Sequence, residues 1–228
     1  MRLIEGLAEL IFPTRCAGCE LPGALLCDAC RARLPLIAPA SACPRCGAPY
    51  GELVCTECWN REWSFEAALA LGEFEAPLAR AVVLHKDASE QRLGEVLGML
   101  LAEAVQARWP GWAQTVTFVP ATRQALRRRG FDHGRGIASA LAAGLGVPVV
   151  EALVRREARD QRALGRKDRA LNASGSFAAR PDVAEAPPPR VLLCDDVFTT
   201  GATLDAAAAV LLGAGAEEVR CATVARAW

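Results

Sequence analysis

From Phe65 onward, hydrophobic side chains recur with two different periods. Alternate apolar positions in "SFEAALALGEFE" predict a strand, and the short apolar runs "TVTFVP", "VPVVEAL", "PRVLLCD" and "EEVRCATVARA" predict further strands. Apolar residues three or four positions apart predict helices from Pro77 to Leu84 and in "RLGEVLGMLLAEAVQARW", "GIASALAAGLG" and "TLDAAAAVLLGAG". Alternating strands and helices indicate an α/β domain with a doubly wound, mainly parallel sheet.

Three stretches interrupt this pattern. A charged loop is expected between "TVTFVP" and "GIASALAAGLG". Residues 155–172 are dense in charge and have little apolar periodicity, so we expect a long loop, which in a compact domain is usually functional or disordered. The proline-rich "AEAPPP" before the next strand predicts an extended surface connection.

Cysteine spacing is the main signal before residue 60. Eight of the ten cysteines form four C-x-x-C pairs, which are Cys16, Cys19, Cys27, Cys30, Cys43, Cys46, Cys55 and Cys58. Two such turns supply the tetrahedral sulfur shell that Zn²⁺ prefers, so the chain is predicted to hold two structural zinc ions with no open coordination position. Sequential pairing of the turns is favoured over an interleaved one, and structural zinc is favoured over a redox dithiol.

Length and charge add limits to this organisation. The 228 residues suit one α/β domain plus a small unit, and we expect a double zinc ribbon with an N-terminal helix at residues 1–62 and the α/β domain at residues 63–228. The 26 basic and 26 acidic side chains balance, which removes a global electrostatic argument for nucleic acid or membrane. Because "MRLIEGLAELIF" suits an amphipathic helix better than a signal peptide, we expect a cytoplasmic protein without membrane insertion.

Two acids follow the strand "PRVLLCD" and precede a hydroxyl-rich turn. Asp195 and Asp196 fall where open α/β sheets bind ligands, and the turn after them contains Thr199, Thr200, Gly201, Ala202 and Thr203. Amide groups, hydroxyls and the positive end of a helix dipole suit a phosphate, while acceptor-only carboxylates suit a diol. A 5-phosphorylated ribose offers both groups, and an added pyrophosphate would bring Mg²⁺.

Other interpretations of this stretch fit less well. The Walker A spacing is absent, and the 32 residues after Asp196 are too few for a receiver domain. In the simplest alternative, the two acids only cap a turn.

"VLLCDDVFTTGAT" resembles the phosphoribosyl-pyrophosphate (PRPP) motif of type I phosphoribosyltransferases. Together with the four C-x-x-C pairs, it makes the chain similar to the ComF family, the double-zinc-ribbon phosphoribosyltransferase-like proteins of bacterial competence and DNA uptake. The stretches "FVPATRQALRRRGFDHG", "RDQRALGRKDRALNASGSF" and "LHKDASEQRLGEVLGMLL" extend the resemblance over nearly the full length. "RGFDHG" departs from the family's Arg-Gly-Phe-Asn-Gln at Asp132 and His133.

The resemblance implies a role for each motif. Asp195 and Asp196 would be the catalytic pair that holds the ribose hydroxyls, and Thr199 to Thr203 would hold the 5-phosphate. The pyrophosphate loop would contain Pro120, Ala121, Thr122 and Arg123. The mobile loop that closes over the site would contain Gln161, Arg169 and Asn172.

Two hypotheses for function follow. In the first, the chain is a PRPP-binding phosphoribosyltransferase-like protein, with Mg²⁺ as a further cofactor, in handling of imported DNA or nucleotide salvage. In the second, it is a non-catalytic adaptor for single-stranded DNA and a competence helicase, with the phosphoribosyl site as a sensor or relic. The DNA patch would join "RQALRRRG" to four arginines, with Trp59, Trp63 and Phe65 as stacking platforms. The four arginines are Arg155, Arg156, Arg159 and Arg162. Packing and a solvated face are the simpler explanations for these aromatic and basic residues.

Overall fold

A parallel sheet forms the centre of the protein. The computed structural model describes residues 13–49, 51–156 and 176–228. Within these ranges four strands pair side by side, and each neighbouring pair is parallel. Their order across the sheet is β1 (Ala67–Glu73), β6 (Glu218–Arg226), β5 (Arg190–Phe198) and β2 (Thr115–Phe118). The predicted α/β class and mainly parallel sheet are confirmed.

Helices lie between the strands and in the cysteine-rich segment. The helices of the described residues are α1 (Asp28–Arg31), α2 (Thr56–Trp59), α3 (Leu78–Asp87), α4 (Leu93–Arg108), α5 (Arg123–Arg129), α6 (His133–Leu145), α7 (Pro181–Glu185) and α8 (Ala202–Gly213). A short 3-10 turn spans Pro39–Ser41. Among the helices that the structure describes, none has the length and apolar character needed to cross a membrane.

The sheet has a hydrophobic core on each face. Successive strand residues point to opposite faces, so Leu192 and Cys194 of β5 pack with α3, α4 and α6 on one side. Val191 and Leu193 point to the other side, where they pack with α8 and with cysteines of the second cluster. Because β5 is buried on both faces, its sequence is a continuous apolar run rather than an alternating one.

The cysteine-rich segment packs along the edge strand β1. The amide of Ala68 donates to the carbonyl of Arg45 at 2.9 Å, and the amide of Ile37 donates to the carbonyl of Leu71 at 3.0 Å. Gly47 has φ of 71°, and a Cβ atom there would lie 3.0 Å from the carbonyl oxygen of Ala68. The segment therefore covers one edge of the sheet, which would otherwise expose unpaired backbone groups.

A two-stranded antiparallel sheet lies apart from the main sheet. It pairs β3 (Leu153–Arg155) with β4 (Phe177–Ala179). The strand expected near "VPVVEAL" lies at the end of that stretch, while Val149 makes only an isolated parallel bridge with Val116. The prediction did not include β4 or α7, because three-residue and five-residue elements have too few positions to show a period.

The segment between β2 and α6 contains a helix where a charged loop was expected. The Thr122 hydroxyl caps α5 by accepting from the amide of Ala125 at 3.1 Å, and Gly130 ends the helix in the left-handed conformation. These two caps specify the helix although "RQALRRR" lacks an apolar stripe. The mobile-loop residues Gln161, Arg169 and Asn172, the arginines Arg159 and Arg162 and the N-terminal helix lie outside the described residues.

Candidate functional site

A cavity of about 390 Å³ opens at the carboxyl end of the sheet. It brings together seven of the residues that the sequence singled out, which are Pro120, Ala121, Thr122, Asp195, Asp196, Thr199 and Thr203. Thr200, Gly201 and Ala202 form the turn beside it. Arg123 lines a neighbouring cavity of about 990 Å³ instead. Residues that lie 75 positions apart in the sequence therefore meet at one site.

The two acids lie within β5 rather than after it, because the strand continues to Phe198. The carboxylate of Asp195 accepts from the amide of Asp196 at 2.9 Å, and the carboxylate of Asp196 accepts from the amide of Val197 at 2.8 Å. Burial and, after it, the neighbouring charge of Asp196 together raise the pKa of Asp195 to about 8. Asp195 is thus held largely protonated at neutral pH.

Asp196 has two partners that the sequence analysis did not assign to the site. Nζ of Lys86, on α3, lies 2.5 Å from its Oδ2 atom, and Nε2 of His133 lies 3.4 Å from the same oxygen. Asp196 is 4% exposed, so the ammonium group compensates a charge that water barely reaches. Because Lys86 and Asp196 are 110 residues apart, no local sequence pattern indicates that they form an ion pair.

His133 is held in one tautomer at the start of α6. Nη1 of Arg129 lies 3.1 Å from its Nδ1 atom, and because a guanidinium group only donates, Nδ1 accepts. The ring proton is therefore on Nε2, which faces Asp196. Burial lowers the pKa of His133, although the charge of Asp196 opposes that shift. The imidazole is thus neutral at pH 7, with its Nε2 atom facing Asp196 at 3.4 Å.

The turn between β5 and α8 has the geometry of an anion site. Gly201 precedes the helix with φ of 75°, in the left-handed region that favours glycine. The Thr200 hydroxyl accepts from the amide of Ala202 at 3.4 Å. The first amides of an α-helix lack partners within the helix, and the helix dipole is positive at this end. The expected location of Thr199 to Thr203 at a strand-to-helix turn therefore agrees with the structure.

The loop after β2 is held from two sides. Oδ2 of Asp132 accepts from the amide of Ala121 at 2.9 Å, while its Oδ1 atom accepts from the amide of Gly134 at 2.9 Å in the first turn of α6. On the other side, Nε of Arg155 donates to the carbonyl of Pro120 at 3.1 Å. Asp132, at a position where the sequence departs from its family, thus ties this loop to a helix start.

The eight cysteines of the C-x-x-C pairs form two groups. The first contains Cys16, Cys19, Cys27 and Cys30, and the second contains Cys43, Cys46, Cys55 and Cys58. In each group all sulfur atoms lie within 4.8 Å of one another, and Sγ of Cys46 and Cys55 are 3.6 Å apart. Tetrahedral Zn–S bonds of about 2.3 Å require a separation of about 3.8 Å. The donor set fits one zinc ion in each group, with the turns paired sequentially.

Backbone amides support the thiolate form of one cysteine in each group, Cys16 and Cys43. Cys16 Sγ accepts from the amide of Cys27 at 3.3 Å and from that of Gly18 at 3.4 Å. Burial opposes ionisation of Cys16, but these amide donors outweigh it and lower its pKa to about 6. Cys43 Sγ accepts from the amide of Cys55 at 3.3 Å in the same way. The thiolate is the form that binds metal.

Two family models match the chain. The phosphoribosyl transferase domain matches residues 132–227, and the double zinc ribbon domain matches residues 7–59. The first match contains the paired acids and the turn after them, and the second contains all eight clustered cysteines. The chain is therefore a phosphoribosyltransferase-like α/β protein that carries a double zinc ribbon.

Curated relatives align with this chain over most of their length. Competence protein F of Haemophilus influenzae is 29% identical over 89% of this chain and 90% of its own. The DNA utilization protein YhgH of Escherichia coli K12 is 26% identical over 93% of this chain and 97% of its own. Competence protein ComFC of Streptococcus pneumoniae is 25% identical over 88% of this chain and 87% of its own. These relatives and the two domain matches support the assignment of the chain to the ComF family.

Proposed function

We propose that this protein binds PRPP, or a related ribose 5-phosphate ligand, in the cavity at the carboxyl end of the sheet. The observation that carries the proposal is the meeting of Asp195 and Asp196 with the turn at Thr199 and the loop at Pro120 in one cavity. Carboxylates that accept from a ribose diol, next to a helix start that accepts a phosphate, match the two ends of this ligand.

Each part of PRPP has a candidate partner. In the proposal, Asp195 and Asp196 hold the 2′- and 3′-hydroxyls, residues Thr199 to Thr203 hold the 5-phosphate, and the loop from Pro120 to Arg123 contacts the pyrophosphate. Lys86 and Arg155 add positive charge at the cavity wall. The ligating atoms of His133, Asp195 and Asp196 lie within 4.8 Å of one another, a carboxylate-rich set beside which a Mg²⁺ carried by pyrophosphate is well accommodated.

In a transfer reaction at this site, a nucleophile such as a base or ammonia would form a bond to the anomeric carbon while the bond from that carbon to pyrophosphate breaks and pyrophosphate leaves. The developing cationic sugar must be shielded from water, a role that we assign to the loop containing Gln161, Arg169 and Asn172. The two zinc ions are structural in this proposal, because four thiolates leave no open coordination position. We keep the division into residues 1–62 and 63–228 as part of the same proposal.

The names of the relatives suggest where this activity is used. Since they are called competence and DNA utilization proteins, we propose that this chain acts in the cytoplasm on imported DNA or in nucleotide salvage. Nucleotides released from imported DNA are chemically close to the products of a phosphoribosyl transfer.

Calorimetric titration of the zinc-loaded protein with PRPP and Mg²⁺ tests the proposal. We expect binding by the wild type and a loss of at least about tenfold in the double variant Asp195→Asn/Asp196→Asn, because each Asn keeps one acceptor oxygen but replaces the other with an NH2 donor, and the negative charge that strengthens the hydrogen bonds to the ribose hydroxyls is lost. Asp182→Asn, an exposed acid on α7, is the matched control and should bind like the wild type. A folded wild-type protein that does not bind PRPP would contradict the proposal.

A basic surface beside the cavity supports a second candidate function, an adaptor for single-stranded DNA and a competence helicase. Arg127 and Arg128 of α5 are exposed, and the adjoining cavity of about 990 Å³ is lined by further arginines. These are Arg123, Arg135, Arg155, Arg156 and Arg180. Of the proposed stacking aromatics, Trp59 is 74% exposed, while Phe65 is 3% exposed and packs in the core.

The salt dependence of DNA binding separates this candidate from the first. The double variant Arg127→Ala/Arg128→Ala should weaken binding to single-stranded DNA and flatten its dependence on salt, because fewer counterions are released. An unchanged salt slope would exclude this patch as the DNA contact. PRPP binding should be unaffected by the same change.

A further inference from the structure

The second cysteine cluster contacts an aromatic side chain outside the ribbon. Nε1 of Trp63 donates a hydrogen bond to Sγ of Cys58 at 3.3 Å. Cys58 is fully buried, so the orientation of this sulfur is fixed by its zinc site and by the surrounding core. The indole ring is therefore anchored at one end by a zinc ligand.

The other end of the indole ring contacts the phosphate turn. A Cβ atom added at Gly201 would lie 2.6 Å from Cη2 of Trp63 and 2.6 Å from Cζ of Phe198. Trp63 stacks on Phe65 with a centroid distance of 4.9 Å and meets Phe198 edge-on at 6.0 Å. The turn at Gly201 thus rests directly on rings whose position depends on the second cysteine cluster.

Neighbours of Trp63 donate hydrogen bonds to one residue on each side of Gly201, to a backbone carbonyl before it and to a side chain after it. Nη1 of Arg61 donates to the carbonyl of Thr200 at 3.2 Å, while its guanidinium carbon lies 3.6 Å above the Trp63 ring. The amide of Ser64 donates to Oδ1 of Asp205 at 2.7 Å, in the first turn of α8. Residues before and after Gly201 are therefore fixed by the segment that follows the ribbon.

A second line of contacts runs from the same cluster to the base of the turn. Nη1 of Arg226 donates to the carbonyl of Cys46 at 3.4 Å, and its guanidinium carbon lies 4.1 Å from the ring of Phe198. Arg226 is 1% exposed, and Phe198 is the residue immediately before the turn. Both lines of contact end at Gly201.

We propose that Trp63 and Arg61 are positioning residues that couple the second zinc site to the phosphate turn. Zinc ligation at the second cluster would fix the position of Cys58, whose sulfur accepts the hydrogen bond from Trp63. Trp63 and Arg61 in turn contact Gly201 and Thr200 and stabilise the anion-binding conformation of the turn. This inference rests on the proposed function, because it assigns a ribose phosphate to that turn. Coupling between two sites is reciprocal, so a bound ribose phosphate must in turn retain the second zinc ion.

The first cluster provides an internal comparison within the same molecule. The described neighbours of the first cluster are helices α3 and α4 rather than the turn at Gly201. Nη1 of Arg80 on α3 donates to the carbonyl of Gly18 at 3.4 Å. Arg31, in the helix that follows Cys27, pairs with Glu103 of α4 at 3.0 Å. Coupling through Trp63 should therefore affect one of the two zinc ions.

Zinc release from the intact, zinc-loaded protein tests the coupling. Transfer of zinc to a competing chromophoric chelator is measured at equilibrium with and without saturating ribose 5-phosphate, and binding of ribose 5-phosphate is measured separately by calorimetry. We expect the ligand to raise the zinc affinity of one site per chain by about tenfold and to leave that of the other unchanged.

Two matched tryptophan variants identify the residue that carries the effect. Trp63→Phe keeps an aromatic ring in the core but removes the donor to Cys58, and it should abolish the effect of the ligand on zinc affinity and raise the Kd of ribose 5-phosphate by about fivefold. Trp59→Phe is the control, since Trp59 directly follows Cys58 in the sequence but is 74% exposed and is not the donor to its sulfur. It should behave like the wild type in both measurements.

The outcomes separate this inference from the function on which it rests. A wild-type protein that binds no ribose 5-phosphate overturns the proposed function and the coupling together. A wild-type protein that binds the ligand but whose two zinc affinities do not depend on the ligand overturns the coupling alone. Equal behaviour of Trp63→Phe and Trp59→Phe also overturns the assignment to Trp63.

Discussion

At the scale of single residues, the cavity stabilises two adjacent carboxyl groups in different ways. Asp196 has the ammonium group of Lys86 at 2.5 Å, whereas burial and the charge of Asp196 raise the pKa of Asp195 to about 8. Two like charges next to each other in a poorly solvated site favour one protonated member. The pair therefore provides one anionic group and one largely neutral group at pH 7.

This difference makes stability depend on pH. The folded pKa of Asp195 lies above its unfolded value of about 3.9, so the stability it contributes is complete below that value and is lost as pH rises towards 8. Relative to Asp195→Asn, the wild type should lose up to about 1.4 kcal/mol of unfolding free energy per pH unit between pH 6 and 8, and little above pH 9. Urea unfolding of the zinc-loaded proteins measures this difference.

Asp182→Asn serves as the control for this prediction, because Asp182 is an exposed acid paired with Arg180. Its difference from the wild type should stay constant across the same pH range. A constant difference for Asp195→Asn as well would show that Asp195 titrates at its ordinary pKa in the folded protein.

At the scale of secondary-structure elements, Asp132 connects the start of α6 to the loop after β2. One oxygen accepts from the amides of Gly134 and Arg135 and thereby caps the helix, and the other accepts from the amide of Ala121. An N-cap that is also a loop tether fixes two elements relative to each other. The sequence contains a signal for this cap, because Asp is a common residue immediately before a helix, although the family that the sequence resembles has Asn at this position.

Two substitutions at Asp132 separate the cap from the tether. Asp132→Ala removes both and should lower the free energy of unfolding by about 1–2 kcal/mol. Asp132→Asn keeps one oxygen for the cap, since Asn caps about as well as Asp, and it should cost less than half as much. Urea unfolding checks the order. Equal losses in the two variants would mean that the tether to Ala121, rather than the cap, provides the stability.

At the scale of the whole molecule, the two cysteine clusters have different structural roles. Cys43, Cys46 and Cys58 of the second cluster belong to the core on one face of the sheet, together with Phe65 and Leu193. Cys19 of the first cluster is exposed. A zinc ion in the second cluster therefore lies within a core of the sheet, whereas one in the first has an exposed ligand, Cys19, beside the buried Cys16 and Cys30.

Removing one ligand from each cluster should reveal this difference. Cys58→Ser and Cys19→Ser should each reduce the zinc content from two ions to one, because three thiolates bind zinc less tightly than four. Cys58→Ser should lower the free energy of unfolding by at least about 2 kcal/mol more than Cys19→Ser, since it also disturbs a buried core. Zinc analysis and urea unfolding measure both effects. Equal destabilisation would contradict a structural difference between the two clusters.

Most of the fold was predictable because its signals are local. Each strand of the main sheet has its own apolar run, and α8 follows from the apolar residues of "TLDAAAAVLLGAG". The short elements were not predictable, since β4 has three residues and α5 depends on its caps at Thr122 and Gly130 rather than on a hydrophobic period. Boundaries shifted for the same reason, as where β5 extends past the acids to Phe198.

The candidate site likewise contains some residues that the sequence could identify and others that it could not. Asp195, Asp196 and the turn from Thr199 to Thr203 are contiguous, so their chemistry could be inferred from order alone. Lys86 and His133 reach Asp196 from two other segments, and no spacing in the sequence joins them to it. Such partners become visible only when packing has brought distant helices to one end of the sheet.

The sequence by itself determined the α/β class, the two sets of four zinc-binding cysteines and the acid-threonine motif, because each depends on residues close together in the chain. Tertiary structure alone decided that Lys86 neutralises Asp196 and that Trp63 joins Cys58 to Gly201. The physical reason is that burial, ion pairing and ring packing depend on distance in space. Side chains separated by more than a hundred residues acquire that proximity only when the sheet and its two cores are assembled.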